Sequence, residues 1–240
     1  MLIKLKPIYD YVKKNNPALG SFIHNVYYNR TIIRKVKGQR NIIHYKGSNL
    51  NKVTFDVIGN NNSITIEKKC ALYGVSFYIR GDDHSIRIGQ DCQFNRGSNI
   101  WLEDKACMLE IGEGSTFENV HIALTEPGSK VVIGSDCMFA NDIDLRTGDS
   151  HSIIDVKSGK RINYAKDIEI GNHVWVAAHC AILKGVSIKE NCVIATHSVL
   201  TKSIDEKGVI AGGNPAGILK KDITWSRERI YEKNNKSLQI

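Results

Sequence analysis

Proline is scarce in this 240-residue chain, with 4 residues against 20 glycines. Aromatic residues make up only 8% and tryptophan occurs three times. Long continuous helices need neither scarcity, whereas many short strands joined by tight corners suit a chain rich in glycine and asparagine. No stretch approaches the ~18 consecutive apolar residues of a membrane-spanning helix. After Met1–Leu5 come lysines and Pro7, so the apolar run of a secretory signal is missing. The six cysteines contain no C-x-x-C pair, which removes the usual spacing of a zinc or dithiol redox site. A reducing cytoplasm is the expected compartment.

Acidic residues are also missing from one region. Residues 1–46 hold ten Lys/Arg against Asp10 alone, a net of +9 out of the formal +8 of the whole chain. The remainder is therefore balanced at −1, and the pI of 9.1 describes an arm rather than a surface. No basic face with interleaved aromatics appears in the body, so nucleic acid is not an expected partner. The arm is a solvated appendage, or one that touches an anionic polymer or the inner membrane surface.

What is present is a period of six. Ile170, Val176, Ile182, Ile188, Ile194 and Leu200 are aliphatic at one fixed phase. Four positions after each stand Val174, Cys180, Val186, Cys192, Ser198 and Ile204, small or medium-sized. Neither the 3.6 period of a helix nor the 2 of a strand sustains this. Each block reads as a short strand plus a corner, and three blocks make one triangular coil whose aliphatic residues stack inward. The phase recurs upstream at Ile66, Ile88, Ile111 and Ile133, with steps of 22, 23 and 22 residues. Those coils must extrude extra residues at a corner, and Gly81–His84 and Glu126–Ser129 are the expected places. The repeated Ile-Gly pairs (Ile58-Gly59, Ile88-Gly89, Ile111-Gly112, Ile133-Gly134, Ile170-Gly171) suggest corners with an unusual backbone angle. Five cysteines (Cys70, Cys92, Cys137, Cys180, Cys192) fall on the small inward position and read as packing residues; Cys107 does not.

The step from Ile133 to Ile170 is 37 residues, so a long loop leaves the coil at about 145–166. Such an excursion from a regular solenoid is where function is sought. The organisation expected is a basic, partly helical cap over residues 1–45, a solenoid over 46–212 and a helical tail over 213–240. The cap would cover strand edges otherwise left open.

The run Ile168–Pro215, IEIGNHVWVAAHCAILKGVSIKENCVIATHSVLTKSIDEKGVIAGGNP, resembles the hexapeptide-repeat acyltransferases. Asn141–Asp155, NDIDLRTGDSHSIID, resembles the loop that carries that family's catalytic histidine. His151 followed 24 residues later by Trp175 is similar to the bacterial capsular and sialic-acid O-acetyltransferases. The resemblance implies a left-handed parallel β-helix, a homotrimer, and acetyl-CoA lying in the groove between neighbouring subunits. It implies transfer of acetyl to a sugar or polysaccharide hydroxyl, with no metal.

The chemistry asks for particular residue types. A sugar hydroxyl is a poor nucleophile near pH 7 and needs a base to take its proton; an imidazole suits that task, and His151 sits in the excursion. Asp149, or a backbone carbonyl, is the expected group to orient the ring. Backbone amides near Trp175–Ala177 are expected donors to an oxyanion. No Cys or Ser is placed as an activated nucleophile, so attack should be direct. Ala177, Ala178 and Ala195 would let the pantetheine arm approach the backbone, with Trp175 flanking the acetyl group. Lys202, Lys220 and, more weakly, Lys184 would meet the phosphates, near Asn214-Pro215. Asn141, Asp144 and Arg146 are candidate acceptor contacts.

The remaining histidines read as structural. His179 and His197, 18 apart, should stack on one face. His121 reads as a satisfied inward or corner residue. A three-histidine zinc site is disfavoured because His173 and His179 would diverge. The rival readings are an N-acetyltransferase acting on an amine, a non-catalytic polysaccharide-binding solenoid, and a metal-dependent hydratase.

Overall fold

The structure, a computed structural model, describes residues 6–20 and 32–231. Apart from helical segments at Lys6–Asn15 and 17–20, it is built from short strands that stack in parallel into three sheets of eight, seven and nine strands. The chain visits the sheets in turn, so each coil contributes one strand to each. Ile64, Ile86, Leu109, Val131 and Ile168 face one another across the second sheet. Their spacings are those of the six-residue phase and its interruptions. The expected prism is therefore the observed one.

Within each strand, alternate residues point inward. Ile122 and Leu124 are fully buried while His121 between Val120 and Ile122 is partly exposed. Upper coils are filled by phenylalanine columns: Phe94, Phe117 and Phe139 stack at 4.4 and 4.8 Å between centroids. Lower coils are filled by Ile, Val and Leu. All six cysteines are free and buried, Cys107 included. Their thiols donate to carbonyls near the corners, as Cys137 Sγ does to Gly171 O at 3.2 Å. Burial raises the Cys137 thiol to about 11.

The corners explain the Asn, Asp and His content. Asn61, Asp83, Asp136, Asp142, His179, Asn191 and His197 adopt left-handed φ between 54° and 62°, a region in which these residue types are enriched. Of the Ile-Gly glycines, Gly59 has the unusual angle expected, with φ 141°, but the other four have a different reason. Gly89, Gly112, Gly134 and Gly171 do not have left-handed φ; a Cβ on Gly134 would lie 2.6 Å from the Gly171 carbonyl carbon in the next coil. They are there for close approach of stacked backbones.

The extra residues of the longer coils all leave at the corner between the first and second sheets, as at Gly81–His84 and Glu126–Ser129. The long excursion leaves from that same corner, between Ile143–Arg146 of the first sheet and Ile168–Ile170 of the second.

Both ends depart from expectation. The solenoid opens at Ile32 rather than at residue 46: Ile32–Lys37 pairs with Val53–Ile58 over six residues, and Ile42–His44 pairs with Ser63–Ile66. Alternation in IIRKVK was masked by its three charged positions, Arg34, Lys35 and Lys37. The parts of the expected cap at 1–5 and 21–31 lie outside the described residues. At the other end no helix forms over the described residues 213–231. Instead Ala216–Lys220 turns back antiparallel on Ile210–Gly213 and covers the last strand edge of the third sheet. The chain then climbs the corner between the second and third sheets. Trp225 stacks on His173 at 4.2 Å and donates Nε1–H to its carbonyl at 2.8 Å. Arg227 pairs with Asp136 at 3.0 Å.

Candidate active site

The excursion is a braced arm. Its root is fixed by Thr147, fully buried, whose Oγ1 accepts from Thr125 N at 3.0 Å. Gly148 packs so closely that a Cβ there would meet Thr125 Oγ1 at 2.4 Å. Ile162 N donates to Ile153 O at 2.9 Å and Ile154 bridges Arg161, so the two limbs run antiparallel. Asn163, only 7% exposed, ties them together. Its Nδ2 donates to His151 O at 2.7 Å and to the Asp149 carboxylate at 2.8 Å, and its Oδ1 accepts from Ile153 N at 2.7 Å. Two ion pairs fasten the arm to the coils on either side, Arg161 to Glu126 and Lys184 to Asp149.

His151 is held by its backbone. Its N–H donates to Asp149 O at 2.7 Å and its carbonyl accepts from Asn163. Among the described residues the imidazole has no hydrogen-bond partner and the residue is exposed. Asp149 therefore does not orient the ring within this chain. Its carboxylate is taken by Lys184 and Asn163, and the Lys184 ammonium holds it below the usual carboxylate range. Lys184, the weakest phosphate candidate, is spent in the same contact.

Trp175 is elsewhere. It lies on the third sheet between Met138 and Val193, with its ring centroid 6.1 Å from that of Trp225. The second sheet separates it from the corner that carries His151. The other coenzyme candidates divide the same way. Ala177, Ala178 and Ala195 follow third-sheet strands, Asn214 stands just beyond Ile210–Gly213, and Lys220 pairs with Ile210. Lys202 instead follows Val199–Leu200, at the corner of the excursion. One chain does not bring the two sets together.

The oxyanion expectation also shifts. Trp175 N and Ala177 N donate to Cys192 O and Ile194 O at 2.9 Å, so the ladder consumes both. Ala178 N, the next amide, donates to nothing among the described residues.

His121 is not inward. It faces out from the first sheet beside Asp144, with Nδ1 2.8 Å from Oδ1. Arg146 Nε donates to the other oxygen at 2.6 Å. Burial favours the neutral acid at Asp144, but the bonds to His121 and Arg146 outweigh it and lower its pKa. With Asn99, Asn119 and Asp142 these residues line an open depression of about 440 Å³ at the foot of the excursion. Asp144 and Arg146 thus meet as candidate acceptor contacts, while Asn141 stands at the corner beyond, its carbonyl accepting from His179 N. Reading His121 correctly required the strand phase: Val120 and Ile122 are inward, so 121 must face out. His179 and His197 do stack, at 4.6 Å, and among the described residues no group of three or more His, Cys, Asp or Glu converges.

Residues 167–202 match the bacterial transferase hexapeptide (six repeats) family. The chain is 38% identical to the polysialic acid O-acetyltransferase of Neisseria meningitidis over 196 residues, 81% of this chain and 90% of that protein. It is 43% identical over 97 residues to a polysialic acid O-acetyltransferase of Escherichia coli O1:K1 / APEC, 40% of this chain and 31% of that one. The fold matches the crystal structure of the polysialic acid O-acetyltransferase OatWY with a TM-score of 0.76 and 33% identity, over 83% of this chain and 93% of that one. It matches the polySia-specific acetyltransferase NeuO at 0.74 and 31%, over 86% and 93%. Identity, coverage and shared architecture together make this chain a member of the hexapeptide-repeat acetyltransferases, alongside the polysialic acid O-acetyltransferases.

Proposed function

We propose that this protein transfers acetyl from acetyl-CoA to a hydroxyl of a sialic-acid polysaccharide, with His151 as general base, in a homotrimer whose sites each draw on two copies. The observation that carries this reading is the division just described. A braced arm presents an unpartnered imidazole at one corner, and the residues suited to the acyl donor line another face of the same prism. A neighbouring copy that sets its third sheet against the arm completes the site.

Acetyl-CoA supplies the activated thioester when bound. The methyl-only side chains of Ala177, Ala178 and Ala195 leave its arm room against the backbone, and the free Ala178 N–H is a donor for the carbonyl oxygen. Lys202 and Lys220 carry charge for the phosphates. His151 accepts the proton of the acceptor hydroxyl as the oxygen attacks, then returns it to the departing sulfur. The buried cysteines are not available as nucleophiles, which supports direct transfer. His121, Asp144 and Arg146 hold the acceptor at the foot of the arm. The relatives' acceptor, polysialic acid, is polyanionic, and the basic first 46 residues suit it; a cytoplasmic site at the inner membrane surface is part of the proposal.

The test is thiol release from acetyl-CoA with a panel of sialic-acid oligomers, read with the mass gain of one acetyl group. Base-labile product marks an ester, and base-stable product would move the reading to an amine acceptor. His151→Ala should cut kcat at least ~100-fold; retained turnover would remove His151 from its role.

A further inference from the structure

The tail beyond the last strand does more than cap an edge. After Ala216–Lys220 it runs up the corner between the second and third sheets and meets one coil after another. Ile223 N donates to Gly208 O at 2.9 Å, and Asn191 Nδ2 donates to Ile223 O at 3.0 Å. Thr224 Oγ1 donates to Asn191 Oδ1 at 2.8 Å. Trp225 takes the next coil through His173, whose ring is fixed at both nitrogens. Nδ1 lies 2.7 Å from Asp136 Oδ2 and Nε2 lies 3.1 Å from Trp225 O. Arg227 reaches further still, to Asp136 at 3.0 Å and to Thr116 Oγ1 at 2.8 Å. Gly208, Asn191, His173 and Asp136 are left-handed corner residues of successive coils, with φ between 53° and 64°. The strap therefore follows one corner. Its apolar anchor is Trp225, 8% exposed and the one buried apolar side chain after Ala211 among the described residues.

The aromatic neighbours of Trp225 are His173 and Trp175. The two indoles lie 6.1 Å apart at 50°, within the range of a tilted aromatic contact. Trp175 faces out from the third sheet, because Val174 and Val176 on either side of it are inward. An outward side chain on a strand has more than one rotamer open to it. Met138 and Val193 flank Trp175 in register, and Trp225 closes the side toward the second sheet. The Trp175 Nε1–H donates to nothing among the described residues, so the orientation of the ring decides where that donor points. We infer that Trp225 is a positioning residue for acetyl transfer: stacked on His173 and followed by the Arg227–Asp136 pair, it fixes the Trp175 indole at the donor site. The inference rests on the reading that Trp175 flanks the acetyl group, and it adds the tail to that site. Edge capping does not account for the climb. Ala216–Lys220 already covers the third-sheet edge, and Trp175 stands two strands further in than Ile210–Gly213.

The chain has three tryptophans, so exchanging Trp101 and Trp225 leaves Trp175 as the only reporter. The experiment uses the full chain with Trp101→Phe and either Trp225→Phe, which keeps a ring at 225, or Trp225→Ala, which removes it. Time-resolved anisotropy should show fast motion of the Trp175 ring in the alanine variant alone. With sialic-acid oligomers, Trp225→Ala should lower kcat about tenfold or more, as a misplaced group at a reacting centre does, with KM for acetyl-CoA within about threefold. Trp225→Phe should recover most of that loss. Should Trp225→Ala not fold, Arg227→Ala in the Trp101→Phe, Trp225→Phe background decides: it loosens the strap, and should raise the mobility of the Trp175 ring and lower kcat. Full turnover in the loosened variant would overturn the inference. So would a loss of turnover with the Trp175 ring as fixed as in the phenylalanine variant. Trp175→Ala with wild-type turnover would refute the donor-site reading itself, whereas an essential Trp175 beside an indifferent Trp225 refutes this inference alone.

Discussion

Asn163→Ala tests whether the arm, rather than the imidazole alone, makes the site. The side chain makes three bonds across the hairpin, to His151 O, the Asp149 carboxylate and Ile153 N. Each is worth about 1 kcal/mol net, and alanine leaves the His151 carbonyl and the Ile153 amide without their partner. The loss is roughly 3 kcal/mol, enough to shift an open-to-closed equilibrium of the arm by about 100-fold. A misplaced base costs a similar factor. The arm projects from the prism, so the cost falls locally and not on the core. The expected result is a kcat roughly 100-fold lower with KM for acetyl-CoA within about twofold. Hydrogen exchange should become faster at amides 151–163, and the thermal midpoint of the coils should hold. Asn163→Asp keeps the acceptor oxygen but loses the Nδ2 donor and sets a second carboxylate beside Asp149, so it should not rescue. Normal turnover with unchanged exchange in the arm would refute the reasoning.

Gly134→Ala should destabilise by about 1–3 kcal/mol through overpacking, because its Cβ meets Asn172 Oδ1 at 2.5 Å; Gly114→Ala, with φ +68° and open space around it, should cost only about 1–2 kcal/mol of backbone strain. Urea melts of both variants decide whether close coil contact is the cause, and a Gly134 variant as stable as wild type would reject it. Co-expressing His151→Ala with Trp175→Ala should regenerate activity in mixed oligomers, since some sites then pair an intact arm with an intact third sheet; mixed oligomers that stay inactive would place both residues in one subunit's site. His84 is buried, accepts from Cys107 N at 3.1 Å, and burial depresses its pKa below 6.5. The unfolded chain then binds the extra proton, so His84 contributes stability above pH 6.5 that is lost as pH falls through its folded value. His84→Gln should flatten the thermal midpoint between pH 7 and 5, and an unaltered slope would assign the effect to another group.

The coils were legible because a solenoid's contacts repeat at short range. Ile170 faces Ile188 in the next coil, 18 residues on, so one aliphatic phase records both strand and stacking. The excursion was legible by subtraction, from a 37-residue step, and its histidine by the motif around it. The ends were less so. The strand at Ile32–Lys37 has one neighbour among the described residues and is exposed over five of its six residues, so its pattern carries little hydrophobic signal. The tail was read as helix from its polar composition, but Trp225 docks on a histidine 52 residues earlier.

Sequence by itself determined the prism, the inward phase and the one coil that breaks it, since these follow from side-chain size at fixed spacing. Tertiary structure alone decided which groups share a surface. It spent Asp149 and Lys184 on anchoring the arm and turned His121 outward onto Asp144. It set Trp175 a full sheet away from His151. The physical reason is that stacking places side by side residues 18 to 37 apart, and which corner each occupies depends on how many residues every earlier coil has extruded.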